Sequence, residues 1–416
     1  MKFRDVRMRG FEKRARLSAV LDWLDAHCAS LPGESIPLAE SAGRILAEEI
    51  VATSNIPAYR RSAMDGYAIA GEETTGASDY SPLTFRVVGE SWPGSPFSGK
   101  LYSTQAVRIM TGAPVPEGAD AVLPAEQASE AGDLVEFTGS VPPGKNVGAI
   151  GEDVREGTSV LPAGRRLRPQ DVGLLASLGL AVVPVIRRPK VRMLITGNEL
   201  AAVGQPIGES QIFDSNSPML HSLIVRDSGE LIEQLHLRDD RHLISEALQR
   251  PGADVLLVSG GSSVGAEDYA PSLLDELGEL DFHGMAIRPA SPTGVGRLGS
   301  AIVFLLPGNP VSCLCAYDLL AGRTIRQLGG RSPRLPYATR EFVLSKKIVS
   351  SVGRLDYCRV CIDEERVFPV ATSGASILSS TSRADGFVLV PEESEGYAVG
   401  TTVSVHLYDL PFDRPL

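Results

Sequence analysis

Residues 255–269 read VLLVSGGSSVGAEDY, an apolar start giving way to three glycines, three serines and two acids. A short apolar run bounded by turn residues fits a buried strand. Around it the pattern is regular. VRMLIT (191–196) reads as a strand, and SPMLHSLIVRDSG (217–229) as a helix that starts at Asn216-Ser217-Pro218. ELIEQLHL (230–237) is a strand, RHLISEALQR (241–250) a helix and DVLLV (254–258) the strand just quoted. A helix follows the glycine loop, then strands near FHGMAI (282–287) and AIVFLL (301–306), then a long helix after Asn309-Pro310. Proline in the first helical turn after an asparagine cap supports both helix starts. Strands and helices alternating at this length predict a mostly parallel sheet covered on both faces.

The 416 residues correspond to roughly three domains. Residues 11–30 form an amphipathic helix with Leu17, Val20, Leu21 and Leu24 on one face. Residues 56–139 are rich in proline, glycine and short β-like runs such as FRVVGE (85–90) and LVEFTG (134–139), which predicts a β-rich module. The flanking stretches 33–55 and 140–183 share similar short pieces and form one small α+β domain into which that module is inserted. Residues 1–32 and 184–331 make up the α/β domain. From 332 to 416 helical patterning gives way to short alternating strands with glycine turns, a separate C-terminal β-domain.

Bulk composition excludes several classes. With 40 Lys+Arg against 51 Asp+Glu the formal charge is −11, which argues against a nucleic-acid footprint. The longest apolar stretch, Val172 to Ile186, is broken by Pro184 and too short for a bilayer. The basic start has no apolar h-region, so a cytoplasmic protein without a membrane segment is expected. Cys28, Cys313, Cys315, Cys358 and Cys361 make no disulfide framework. CRVC (358–361) has zinc or redox spacing but no second pair, and in a strand its two thiols face opposite sides.

In open parallel sheets, ligands bind beyond the carboxyl ends of the strands. Three strands end there in glycine-rich or polar loops: ITGNEL (195–200), VSGGSSVG (258–265) and LLPGNP (305–310). Gly260, Gly261 and Gly265 let backbone N–H groups approach an anion, and Ser259, Ser262 and Ser263 add hydroxyls. The plain alternative is a glycine-serine turn. PGNP likewise reads as a turn with an asparagine cap. Glu199, Asp214, Asp239, Asp240 and Asp268 fall at or just beyond element ends. They serve as caps and loop charges, or join a divalent cation to substrate phosphates; Mg2+ suits such oxygen-rich sites. No histidine pairing supports zinc, and no G-x-S-x-G elbow supports a serine hydrolase.

Taken in order, these segments resemble the MoeA-type molybdopterin molybdenumtransferases, the family that includes the E domain of gephyrin. The resemblance rests on SAMDGYA (62–68), RIMTGAPVPEGADAV (108–122), GEDV (151–154), TGNEL (196–200), GQPIGESQIFDSN (204–216), SGGSSVG (259–265), LPGNPVS (306–312), GRLDYCRV (353–360) and ADGFVLVPE (384–392). It implies a four-domain homodimer whose site is shared between protomers, a C-terminal β-barrel-like domain, and an α/β domain like that of molybdopterin adenylyltransferases. One such adenylyltransferase is an implied partner. The implied reaction inserts molybdate into adenylylated molybdopterin and, assisted by Mg2+, cleaves the pyrophosphate bond to release AMP. Carried over by position, Asp65, Thr111, Asp153, Glu199, Asp239 and Asp268 would be catalytic, with Glu199, Asp239 and Asp268 managing the metal. The Ser259–Gly265 loop would hold the pterin phosphate, and Pro307, Gly308, Asn309 and Pro310 would shape the ligand's surroundings.

The chain departs from that pattern in one loop. Where the family reads Lys-Pro-Gly-Lys-Pro, residues 288–292 read RPASP. Arg288 keeps the charge, Ser291 keeps only a hydroxyl, and a further family lysine aligns with Gly284. Arg297 is the nearby cation available to compensate. The thinned charge leaves two alternatives beside the molybdenum enzyme: a non-catalytic or divergent pterin-binding paralogue, and a tungstate-using transferase.

Overall fold

The computed structural model describes residues 11, 14–261, 268–371 and 374–409. It divides into two units, Met1–Glu34 with Ile186–Leu416, and Ser35–Val185. In the first, α1 (Leu17–His27) precedes β1 (Lys190–Thr196), α2 (Asn216–Arg226), β2 (Glu230–Leu237), α3 (Arg241–Leu248) and β3 (Val255–Ser259). Then come α4 (Ala270–Leu277), β4 (Glu279–His283), β5 (Gly294–Leu298) and β6 (Ala301–Leu306). The long helix after Asn309 is α5 (Pro310–Ala316), a π turn at Tyr317–Ala321 and α6 (Gly322–Leu328). The sheet order is β2-β1-β3-β6-β5-β4.

The first four of these strands are parallel, as the alternation predicts. β5 runs antiparallel to both of its neighbours, β6 and β4. Only Gly299 and Ser300 separate β5 from β6, and a connection that short permits a hairpin but no crossover. The segment FHGMAI is also divided: Phe282 and His283 end β4, whereas Ile287–Arg288 pairs with Leu355–Asp356 of the C-terminal domain.

Strand alternation sends successive side chains to opposite faces. Met193, Ile195, Leu257 and Phe304 meet Val20, Leu24, Leu220, Ile224 and Cys313 on one side. Leu194, Leu256, Val258 and Leu305 meet Ile244, Leu248, Leu273 and Leu274 on the other. Each large apolar side chain buried this way contributes roughly 1.5–3 kcal/mol. At the edge, β2 carries a bulge, since Val191 pairs with Leu231 but Arg192 with Glu233. The extra residue, Ile232, reverses the facing, so Leu231 joins the first core while Leu235 and Leu237 join the second.

The C-terminal strands β7 (Ala338–Leu344), β8 (Leu355–Asp363), β9 (Arg366–Ala371), β10 (Gly386–Val390) and β11 (Thr402–Leu407) close on themselves. The ring runs β8–β9–β7–β11–β10–β8, a five-stranded barrel without free edges. Phe342, Val360, Val388 and Val405 fill its own core. Tyr357 and Phe387 belong instead to the core shared with α2, α5 and α6, so barrel and α/β domain form one unit. A buried ionic network within the α/β domain meets the C-terminal domain through the Tyr337 and Tyr357 hydroxyls. Arg226 bonds Asp227 at 2.8 Å and Asp318 at 2.9 Å, Arg326 bonds Asp227 at 2.8 Å, and Tyr337 donates to Asp318 at 2.9 Å. Two arginines and two aspartates cancel, which is the condition for burying charge. Cys28, Cys313, Cys315 and Cys358 are buried in this unit, with burial pushing the Cys28 thiol up to about 11 and those of Cys313 and Cys358 up to about 12.

In the second unit, a six-stranded sheet runs Ala121–Pro124, Gly66–Ile69, Gln105–Ile109, Leu83–Ser91, Leu134–Phe137 and Ala128–Ala131. Separate cores cover its two faces. The flanking part pairs Ile50–Val51 with Ser159–Leu161 and packs helix Pro169–Ser177 over Leu46, Val183 and Val185. The inserted module extends past residue 139, because Val147–Gly148 pairs with Arg61–Ser62 and Lys145 accepts the Val122 N–H at 3.1 Å. Composition carries no trace of such backbone pairing. Among the described residues no helix is long and apolar enough to cross a membrane.

Helix Pro169–Ser177 starts on Asp171, which accepts the Arg168 N–H at 2.9 Å and bonds the Arg168 and Arg165 guanidiniums. The Arg168 side chain first, then its amide and Arg165, hold this carboxyl well below the ordinary range. A depressed acid stabilises the fold above its unfolded pKa and loses that contribution as pH falls. Asp171→Asn is therefore expected to cost about 1 kcal/mol at neutral pH, as loss of a cap does, with the gap from the parent protein narrowing in acid. Urea melts between pH 7 and pH 3 measure it; a constant gap would contradict this role.

Candidate functional site

Pairing register sets the site. Ile195 lies beside Ser259, and Ser259 beside Leu306, so three loops leave one edge of the sheet together. They are in direct contact. A Cβ on Gly260 would lie 2.2 Å from the Thr196 carbonyl oxygen, and one on Gly308 3.6 Å from the Gly260 Cα. Gly260 and Gly261 both adopt positive φ, 94° and 57°, which glycine tolerates without strain. The Gly260 N–H donates to the Leu306 carbonyl at 3.3 Å, and the buried Ser259 hydroxyl accepts from Asn216 at 2.9 Å. Those two groups are committed within the fold. Ser262, Ser263 and Gly265 lie outside the described residues.

Asn216 has a role that sequence reading missed. Its Nδ2 bridges the Ser259 hydroxyl and, at 2.8 Å, the Gly308 carbonyl, tying two loops to the start of α2. It does not cap the helix. Asp214 does, accepting the Asn216 and Ser217 N–H groups at 3.0 Å each. Asn309 occupies the N-cap position of α5, yet its side chain makes no cap bond and lines a cavity instead.

The acids stand around this edge in different states. Asp239 and Asn198 bond reciprocally, the Asn198 N–H donating at 3.0 Å and the Asp239 N–H at 3.3 Å. Its neighbour Asp240 caps α3. Glu199 is exposed, its carboxylate folded over Gly197, where a Cβ would come within 2.9 Å. Asp268 is half-buried just before α4. Among the described residues no three His, Cys, Asp or Glu side chains gather to hold a metal ion by themselves. Glu199, Asp239 and Asp268 are hard oxygen donors without a preformed cage. That donor set fits Mg2+, which completes its shell with phosphate oxygens and water around one or two carboxylates.

Beyond Pro307 and Asn309 opens a cavity of about 440 Å³ walled by the 285–292 loop, Arg14, Ser312, Ser351, Arg354 and Ala375. Arg14, Ser312, Ser351 and Arg354 were not singled out from sequence; GRLDYCRV held the signal for Arg354. In the second unit, Thr111 donates its N–H at 2.7 Å and its hydroxyl at 2.8 Å to one Asp65 oxygen. The amide first, then the hydroxyl, lower the Asp65 pKa. Asp153 is exposed, its N–H donating to the Ile56 carbonyl at 3.1 Å.

Family models match three stretches: the MoeA N-terminal region (domains I and II) over 15–179, a probable molybdopterin binding domain over 192–327, and the MoeA C-terminal region (domain IV) over 341–408. A molybdopterin molybdenumtransferase of Haemophilus influenzae is 35% identical over 384 residues, 90% of this chain and 94% of that protein. Molybdopterin molybdenumtransferase 2 of Mycobacterium tuberculosis is 34% identical over 386 residues, 89% and 94% of the two chains. The chain belongs to the MoeA family of molybdopterin molybdenumtransferases. A solved MoeA protein of molybdopterin biosynthesis from Pyrococcus horikoshii superposes with a TM-score of 0.82 at 32% identity, covering 95% of this chain and all of that one.

Against the MoeA pattern, the altered loop has structural causes. A side chain at Gly284, the position of one family lysine, would meet the Phe11 ring at 2.5 Å, and Gly284 holds φ at 89°. Ser291 donates to the Met285 carbonyl at 3.1 Å. Arg297 does not compensate: it pairs with Glu279 and stacks 5.9 Å from the Trp23 ring, on the β4 edge. Arg288 keeps the charge, but one arm of its guanidinium is bound to Asp356. Ala290, at the family's glycine, is buried with φ at 102°. Such a backbone costs a non-glycine residue of order 1–3 kcal/mol. Ala290→Gly is accordingly expected to stabilise the protein by about 1 kcal/mol after the entropic cost of glycine. A thermal midpoint at or below that of the parent would refute this.

Proposed function

We propose that the chain inserts molybdate into adenylylated molybdopterin, with cleavage of the pyrophosphate bond and release of AMP. One observation carries the reading: the Pro307–Asn309 loop borders both the glycine turn at Gly260 and the cavity holding Arg14, Arg288 and Arg354. A phosphate cradle and a cationic pocket thus share a wall. An anion transferred between substrates needs such adjacency.

In this proposal, Gly261 and the rest of the glycine-serine loop hold the pterin phosphate through backbone N–H groups. Asp239 and Asp268 hold Mg2+, with Glu199 orienting the hydrated ion or the attacking oxygen. When bound, Mg2+ supplies Lewis-acid neutralisation of charge on the leaving phosphate. Asp239 is already braced by Asn198, which limits the reorganisation required on binding. Thr111 keeps Asp65 ionised with its second oxygen free of that pair, and Asp153 contributes a further carboxylate. The pocket takes the oxyanion. Action as a cytoplasmic homodimer, supplied by a molybdopterin adenylyltransferase, completes the proposal.

Retention of Asp65, Thr111, Glu199, Asp239 and Asp268 speaks against the non-catalytic paralogue, as does 35% identity to a relative named as the enzyme. The full-length protein is to be mixed with adenylylated molybdopterin, Mg2+ and molybdate, and AMP and metal-containing cofactor quantified. Both are expected to form. No AMP at saturating molybdate would overturn the enzyme, and faster release with tungstate would favour the tungstate reading. Asp268→Asn is expected to lower turnover by at least about 100-fold, the scale for loss of a charge-stabilising group, without changing the mass in solution. Unchanged turnover would remove Asp268 from the mechanism.

A further inference from the structure

Asp356 is fully buried on β8, in parallel register with Arg288. Three donors converge on it. Arg288 pairs with Oδ2, the Ser350 hydroxyl donates to Oδ2 at 2.8 Å, and Arg354 Nε donates to Oδ1 at 3.1 Å. Both arginines line the cavity, and they arrive from different domains, Arg288 from the loop after β4 and Arg354 from the start of the barrel. Two guanidiniums this close repel, and a carboxylate shared between them removes the repulsion while leaving one net positive charge.

We infer that Asp356 is the positioning residue of the oxyanion pocket, holding Arg288 and Arg354 side by side as a paired anion receptor. The inference rests on the proposed reading of the cavity. Arginine suits position 288 for this purpose. A planar fork bonds the carboxylate with one arm and keeps further N–H groups in fixed directions, which a lysine ammonium does not. Asp356 itself does not line the cavity, so it acts on the anion only through its two partners.

Asp356→Asn keeps the shape and the Ser350 contact but removes the charge. In the full-length protein, the molybdate concentration for half-maximal AMP release is expected to rise about ten-fold, more than turnover at saturation falls. Molybdate alone, titrated by calorimetry, is expected to bind correspondingly more weakly. Asp356→Glu should recover part of the loss. An unchanged molybdate requirement, or a fall in turnover alone, overturns the inference while leaving the enzyme standing. A parent protein that neither binds molybdate nor releases AMP overturns both. Should Asp356→Asn fail to fold, Ser350→Ala, which loosens the same carboxylate, is expected to raise the requirement about three-fold; no rise overturns the inference equally.

Discussion

Everything at the site depends on the in-register pairing of β1, β3 and β6. Parallel strands that end level deliver their following loops to one edge, and here the ends are so close that Thr196, Gly260 and Gly308 touch. That closeness dictates sequence. Any side chain at 260 would occupy the space of the Thr196 carbonyl, 2.2 Å away. Position 260 is glycine because the sheet leaves no room for a side chain there, and its positive φ is one that glycine holds without strain. Asn216 then fastens two of the loops from below.

A second dependence links the barrel to this sheet. The cavity takes walls from both, so its shape holds only while the two stay docked. Asp318, clustered with Arg226, Asp227 and Arg326, accepts the Tyr337 and Tyr357 hydroxyls at 2.9 Å and 3.5 Å and so docks the barrel, with apolar help from Tyr357 and Phe387. Burial raises the Asp318 pKa against the opposing pull of Arg226. Removing one partner of such a cluster leaves an uncompensated buried charge, which costs about 3–5 kcal/mol. A distant substitution at Asp318 would thus disturb the cavity without touching it.

What was legible in the sequence was whatever periodicity and local chemistry encode. The apolar runs at Met193–Ile195 and Val255–Val258, the glycines at 260 and 261 and the proline helix starts fixed the α/β layer and its working edge. Long-range pairing was not legible. Nothing local tells that Arg288 meets a carboxylate 68 residues onward, that Arg297 turns to Glu279, or that Asp214 rather than Asn216 caps α2. The β5 hairpin and the module boundary near Gly148 escaped for the same reason: both are defined by a partner strand, not by composition. The acids at Glu199, Asp239 and Asp268 stood out by their places at element ends, and only the family resemblance gave them roles.

The bulge at Ile232 has a consequence of a different kind. β2 is the outer parallel strand, and an outer strand is a template for sheet growth between molecules. Here one extra residue breaks the regular spacing of its free N–H and carbonyl groups. Glu233, just after it, is pinned by Arg192 at 2.6 Å and Arg250 at 2.5 Å. A second chain aligning there would meet interrupted register and a charge cluster that it would have to desolvate. The same residue that lets Leu231 and Leu235 enter opposite cores therefore guards the solubility of the folded protein.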